Sequence, residues 1–170
     1  IRFGKWQEIV DEPLPHDADL YRMTTAVWHY AKTIAHAALG NVPAAVQQSE
    51  LFYQAVSQVP DSRYLFNNRC VDILKIAEQM ILGEIEYRKQ NYDVAYSHLR
   101  QAVSLDDNLK YDEPWGWMQP ARHALGALLL EQGHVEQAKQ VYLDDLGLSD
   151  TLVSTSQHKD NLWSLHGLVE

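Results

Sequence analysis

Apolar side chains recur along this chain at intervals of three and four, the period of a helix with one buried face. Polar turns break the pattern. Between Asp19 and Ser57, the residues Tyr21, Val27, Trp28, Tyr30, Ile34 and Leu39 make a face too broad for a lone surface helix. Gly40-Asn41 supplies the turn, Pro43 suits the first turn of a following helix, and Ala45 is that helix's close-packing residue. A second pair follows, with Leu82-Gly83 in a helix expected to begin near Asp61 or Ser62, a turn at Gln90-Asn91, and Tyr92, Ala95, Leu99 and Ala102 facing inward. A third pair carries Leu125-Gly126 and Leu129, closes at Gly133, and continues through Ala138 and Tyr142. Every element predicted this way is helical.

The small residues give the pattern a repeat. Thr33 and Ala45, Gly83 and Ala95, and Gly126 and Ala138 are each separated by 12 residues. A glycine in one helix admits the partner helix closely, and the alanine is the expected residue facing it. The intervals between equivalent small residues are 50, 43 and 41 residues, longer than the ~34 of a standard tetratricopeptide unit. The surplus falls in 59–68, 106–119 and 146–160, the last a Ser/Thr/Asp-rich stretch that reads as a mobile connector. Residues 1–15 read as the tail of a further unit, with Gly4 as its turn, Trp6 and Ile9 on its apolar face, and Pro13 and Pro15 as terminators. Residues 159–170, with Trp163-Ser164-Leu165-His166-Gly167, read as the start of another. The expected organisation is one unit spanning 1–170, with hairpins at about 19–57, 62–105 and 118–146.

In Gly83, Ala95, Leu125, Gly126, Ala138, Tyr142, Trp163 and Gly167 the chain resembles a tetratricopeptide-repeat protein. In Tyr111-Asp112-Glu113-Pro114, followed by Trp115, Trp117 and Arg122-His123, it looks like a group of large bacterial proteins of unassigned function that carry such a segment before a repeat. The resemblance implies a right-handed α-solenoid of stacked helical hairpins whose concave groove holds a peptide or another protein. His29, Gln79 and Arg122 stand where an aromatic is usual, and no basic set recurs at the groove positions. A peptide-carboxylate clamp is therefore not expected.

Composition narrows the partners. The net charge of −9 opposes nucleic acid and anionic membrane surfaces, which need clustered Lys and Arg. No apolar run approaches the ~20 residues that span a bilayer. Cys70 is the single cysteine, which excludes an intrachain disulfide, and its helical setting suggests a packed thiol. No signal peptide is visible, but the chain opens on Ile1, which leaves the compartment open. Exposed ends at Ile1–Trp6 and Trp163–Val169 are expected places for self-association.

Stacking of first helices would line up Tyr30, Met80 and His123, then Ile34, Glu84 and Ala127, then Ala37, Tyr87 and Leu130, with Arg88 and Glu131 at the lip. Tyr30, Glu84, Tyr87, Arg88 and His123 would then converge on one patch, either a binding surface or an ordinary solvated face. The Tyr111–Trp117 loop has two readings that are compatible. Asp112 or Glu113 caps the next helix or pairs with Arg122, while Trp115 and Trp117 cover the neighbouring unit. Alternatively the loop folds over the groove as an acidic, aromatic wall for a cationic ligand. His29 and His36 share a helix face and are candidate metal ligands together with His123, although no zinc signature is present. The paired acids Asp106-Asp107 and Asp144-Asp145, at helix C-terminal ends, read as solvated. No nucleophile elbow or phosphate loop occurs, and no cofactor is implied. The expected function is an interaction scaffold for a protein or peptide. The alternative is a metal-dependent or acid–base enzyme, or a small-ligand pocket, built on His29, His36, Glu84, His123, Asp112 and Glu113.

Overall fold

Three sharp turns set the architecture, and each is built in the same way. In the computed structural model, which describes residues 1–170, Gly40, Gln90 and Gly133 adopt φ values of +78°, +66° and +75°. The residue after each donates its N–H back to the preceding helix: Asn41 to the His36 carbonyl at 2.8 Å, Asn91 to Glu86 at 2.9 Å, and His134 to Leu129 at 2.9 Å. A left-handed residue followed by this bond satisfies carbonyls that a helix end leaves open. Each turn thus joins two helices into a pair: α2 (Arg22–Ala38) with α3 (Val42–Val56), α4 (Cys70–Arg88) with α5 (Tyr92–Asp107), and α6 (Ala121–Glu131) with α7 (Val135–Leu146). A short α1 (Trp6–Asp11) precedes them and α8 (Leu162–Gly167) follows. The fold is all-α, with packed adjacent helix pairs. No helix is long and apolar enough to cross a membrane.

Gln90 is the exception among these turns, because it carries a Cβ in the left-handed region. That costs an L residue about 1–2 kcal/mol, partly offset by the ~0.5–1 kcal/mol that glycine loses in unfolded-state freedom. Gln90→Gly is expected to stabilise the protein by about 0.5–1 kcal/mol, and Gly133→Gln to destabilise it. Calorimetric melting of both variants checks this; two unchanged midpoints would mean that the turn does not feel the side chain.

The first two pairs match in a further detail. His29 Nδ1 meets Gln48 Oε1 at 3.0 Å, and His98 Nδ1 meets Gln79 Oε1 at 2.8 Å. Both bonds bridge the two helices of a pair, with the residue types exchanged. Ala45, Ala95 and Ala138 are buried, as is Thr33, whose hydroxyl donates to the His29 carbonyl at 2.8 Å. Glycine sets the close approach at two places. A Cβ on Gly83 would stand 2.7 Å from Leu99 and 3.3 Å from the Ala95 carbonyl, and one on Gly126 would stand 2.5 Å from the Tyr142 ring. The atoms nearest Gly126 therefore belong to Tyr142.

Two expected features take a different form. The helix placed near Asp61 or Ser62 begins at Cys70, because Tyr64–Leu65 (β1) and Asn68–Arg69 (β2) fold into a small antiparallel hairpin instead. Asn67 and Asn68 are drawn out of helical geometry by hydrogen bonds to the 110–112 segment. Cys70, the first residue of α4, is buried as a packed thiol. Packing also departs from uniform stacking: α4 lies against both α2 and α3, and α8 against both α6 and α7, but of the preceding pair α6 meets chiefly α5. The segment 108–120 occupies the intervening space, and its Trp117 reaches the α2 side chain Tyr30, edge to face at 5.2 Å between ring centroids.

Candidate functional site

Four of the five patch residues are brought together, and they are already engaged with one another. Glu84 is buried and held by Arg88, with guanidinium–carboxylate distances of 2.8 and 2.9 Å. Burial drives the Glu84 carboxyl upward, and Arg88 opposes that shift. Tyr30 lies under Trp117, and its hydroxyl is pushed well above the usual tyrosine range, first by burial and then by the charge of Glu84. The Arg88 guanidinium sits 5.2 Å from the Tyr87 ring. Tyr87 accepts from Gln132 Nε2 at 2.8 Å, and its hydroxyl is 3.4 Å from the Leu128 carbonyl, which ties α4 to α6. Its pKa is pushed up to about 12, chiefly by burial. The fifth residue, His123, belongs to a different cluster.

The Tyr111–Trp117 loop serves mostly to bind the molecule to itself. Asp112 is buried and accepts hydrogen bonds from Asn67 N, Asn67 Nδ2 and Asn68 Nδ2, the two amide bonds at 2.7 Å. It anchors the β-hairpin, and neither caps α6 nor pairs with Arg122. Glu113 is exposed and bonded to the Tyr111 hydroxyl. Trp117 is in the core, and Trp115 lies edge-on against His158 at 4.2 Å. Capping of α6 comes from further back, because Asp106 Oδ2 accepts the Ala121 N–H at 3.0 Å and Asp107 holds Arg122. These two acids, expected to be solvated, fasten the end of α5 to the start of α6. Desolvation pushes the Asp106 carboxyl up to about 6, against the lowering effect of the Ala121 N–H.

That shift has a testable sign. A carboxyl raised in the folded state contributes most below its unfolded value, and the contribution is lost as pH rises through the folded one. Part of the protein's stability should therefore decline between about pH 4 and 6. Asp106→Asn should flatten that decline, as melting temperatures across the range would report. A variant that keeps the wild-type slope would assign the decline elsewhere.

The most heavily bonded polar group is one that sequence reasoning set aside. Asp145 of α7 is fully buried and accepts from His123 Nε2 at 2.9 Å, His158 Nδ1 at 2.7 Å, Asn161 Nδ2 at 2.8 Å and Ser164 Oγ at 2.6 Å. Its backbone carbonyl also accepts the His158 N–H at 2.7 Å. Burial pulls this carboxyl upward, but the bonds from His123, His158 and Ser164 outweigh it and hold Asp145 far below the usual carboxylate range. The 146–160 connector, read as mobile, is thereby pinned at His158, and Asp144 holds Ser149 and Thr151. One signal was available. The buried residues of α7 are Ala138, Val141, Tyr142, Asp145 and Leu146, so the acid falls on the apolar period.

Because the Asp145 carboxylate only accepts, His123 presents Nε2–H to it, and in the neutral ring that leaves a lone pair at Nδ1. That Nδ1 is buried and has no hydrogen-bond partner. His123 stacks on Trp163 with 12° between the rings and centroids 6.2 Å apart, and the Arg2 guanidinium lies 3.6 Å from the centre of the Trp163 ring. Phe3 is 6.2 Å from the same indole, so the two segments expected as free ends meet on Trp163. Between α6 and α8 a cleft of about 480 Å³ opens, lined by His123, Glu131, Tyr142, Trp163, His166 and Glu170 together with three small or aliphatic residues. His29 is committed to Gln48 and His36 is half-buried on the same helix. They and His123 do not form a metal-holding group, nor do any other three His, Cys, Asp or Glu residues. The chain matches no family model, no curated protein and no solved structure.

Proposed function

We propose that the protein is an interaction scaffold of the tetratricopeptide type, a right-handed stack of helical hairpins that binds a peptide or partner protein on its concave side. Support for the stack comes from the three left-handed turns with the same backward hydrogen bond, and from α4 packing on both helices of the first pair and α8 on both helices of the last. In this reading the Tyr30, Glu84, Tyr87, Arg88 part of the groove is closed by Trp117. The α6–α8 cleft is the part left open, and that single observation carries the binding role. Its volume falls within the ~300–1,000 Å³ of ordinary ligand pockets.

Selection of random peptides against the immobilised protein tests the reading, with nuclear magnetic resonance mapping of those selected. Peptides that compete with one another and perturb the α6–α8 face support it. Failure to enrich any peptide, or perturbations confined to other faces, would overturn it.

A further inference from the structure

Resting on the peptide-binding reading, we infer that the α6–α8 cleft is a guanidinium site and takes an arginine side chain of the bound peptide. Its charge is one-sided: Glu131 and Glu170 line it, and no Lys or Arg does. Glu131 takes part in none of the chain's ion pairs, and Glu170 is matched only by His166 at 3.2 Å. Two carboxylates with no Lys or Arg partner in an aromatic cleft favour a cationic ligand group.

Two further observations narrow the group to guanidinium. The indole of Trp163 already carries one, that of Arg2, at 3.6 Å from the ring centre. Stacking of that kind suits the flat, weakly hydrated arginine head better than the compact ammonium of lysine. The second observation is the orphan Nδ1 of His123. In the neutral ring it is a buried acceptor without a donor, which costs about 1–3 kcal/mol, and His123 lines the cleft. A guanidinium has five N–H donors in a fixed fork, enough to face a carboxylate and an imidazole nitrogen at once. Lysine, a point charge with three donors, matches the arrangement less well.

The test uses small probes on the whole chain: Nα-acetyl-arginine methylamide, its lysine counterpart, and the citrulline counterpart, which has nearly the same shape but no charge. The Trp163 indole N–H and His123 ring resonances report binding. Saturable shifts are expected with arginine, and binding about tenfold or more weaker with citrulline. The double variant Glu131→Gln, Glu170→Gln should weaken arginine binding by a similar factor with an unchanged melting temperature, since neither carboxylate holds the fold together. Equal binding of citrulline, or shifts confined to tryptophans other than Trp163, would overturn the proposal. The two readings fail separately. Selected peptides that fill the cleft without arginine would remove the guanidinium site and leave the scaffold. Arginine methylamide binding with no peptide enriched would do the reverse.

Discussion

Asp145→Ala is expected to cost about 3–5 kcal/mol of stability, the range for breaking a buried charged network by removing one partner. Four side-chain donors converge on this carboxylate, from α6, the 158–161 segment and α8. Alanine would leave them buried without an acceptor, and each such group costs about 1–3 kcal/mol when water cannot reach it. The loss would also be regional. Three of the four donors, His158, Asn161 and Ser164, lie in residues 148–170, so the amide protons of that segment should exchange before those of α4 and α5. Asp145→Asn keeps the volume but turns an N–H towards the donors, and should fall between alanine and wild type. The depressed pKa fixes the sign of the pH effect. Its contribution is complete above the unfolded carboxyl value near 3.8 and is lost as pH falls through the lower folded one. The acid limb of the stability curve should accordingly be shallower in Asp145→Asn. Urea denaturation across pH provides both measurements; an alanine variant within about 1 kcal/mol of wild type would show that water replaces the network.

What the sequence disclosed was governed by short-range rules. The turn at Gly40-Asn41 and the closure at Gly133 follow from glycine's access to positive φ, which is a property of one residue and its neighbours. The helical periods of the three pairs were legible for the same reason. Long-range choices were not. Nothing local tells that Asp112 will reach back to Asn67 and Asn68, or that Asp106 will cap a helix beginning at Ala121. Asp106, at a helix C-terminal end, reads as solvated and Asp112 as a cap or a partner of Arg122, and only the fold supplies the actual donors. Asp145 differs, since its place on the buried stripe of α7 marked it as an acid in need of partners. The partners themselves, His158, Asn161 and Ser164, lie in or beside a stretch whose composition resembles a linker.

Tyr142 supplies the second large effect. Its ring is wedged between two glycines, and a Cβ on Gly126 would lie 2.5 Å from Cε1, while one on Gly167 would lie 2.3 Å from Cε2. These are opposite edges of one rigid ring, so a shift away from either glycine drives it into the other. Gly126→Ala should therefore destabilise by about 2–3 kcal/mol, within the ~1–3 kcal/mol common for overpacking and in spite of the ~1 kcal/mol alanine gains in helix propensity. Gly83→Ala makes an informative comparison. Its nearest atoms belong to Leu99, at 2.7 and 2.8 Å, and a leucine can change rotamer where a clamped ring cannot. It should cost less. Gly167→Ala should also cost less than Gly126→Ala, because α8 is a six-residue helix able to swing out, whereas α6 is fixed by α5 and α7. A double-mutant cycle isolates the ring. In a Tyr142→Ala background Gly126→Ala should turn neutral, or stabilising by up to about 1 kcal/mol, because only the propensity gain remains. If Gly126→Ala costs the same with and without the Tyr142 ring, the close approach of α6 and α7 is not what that glycine provides.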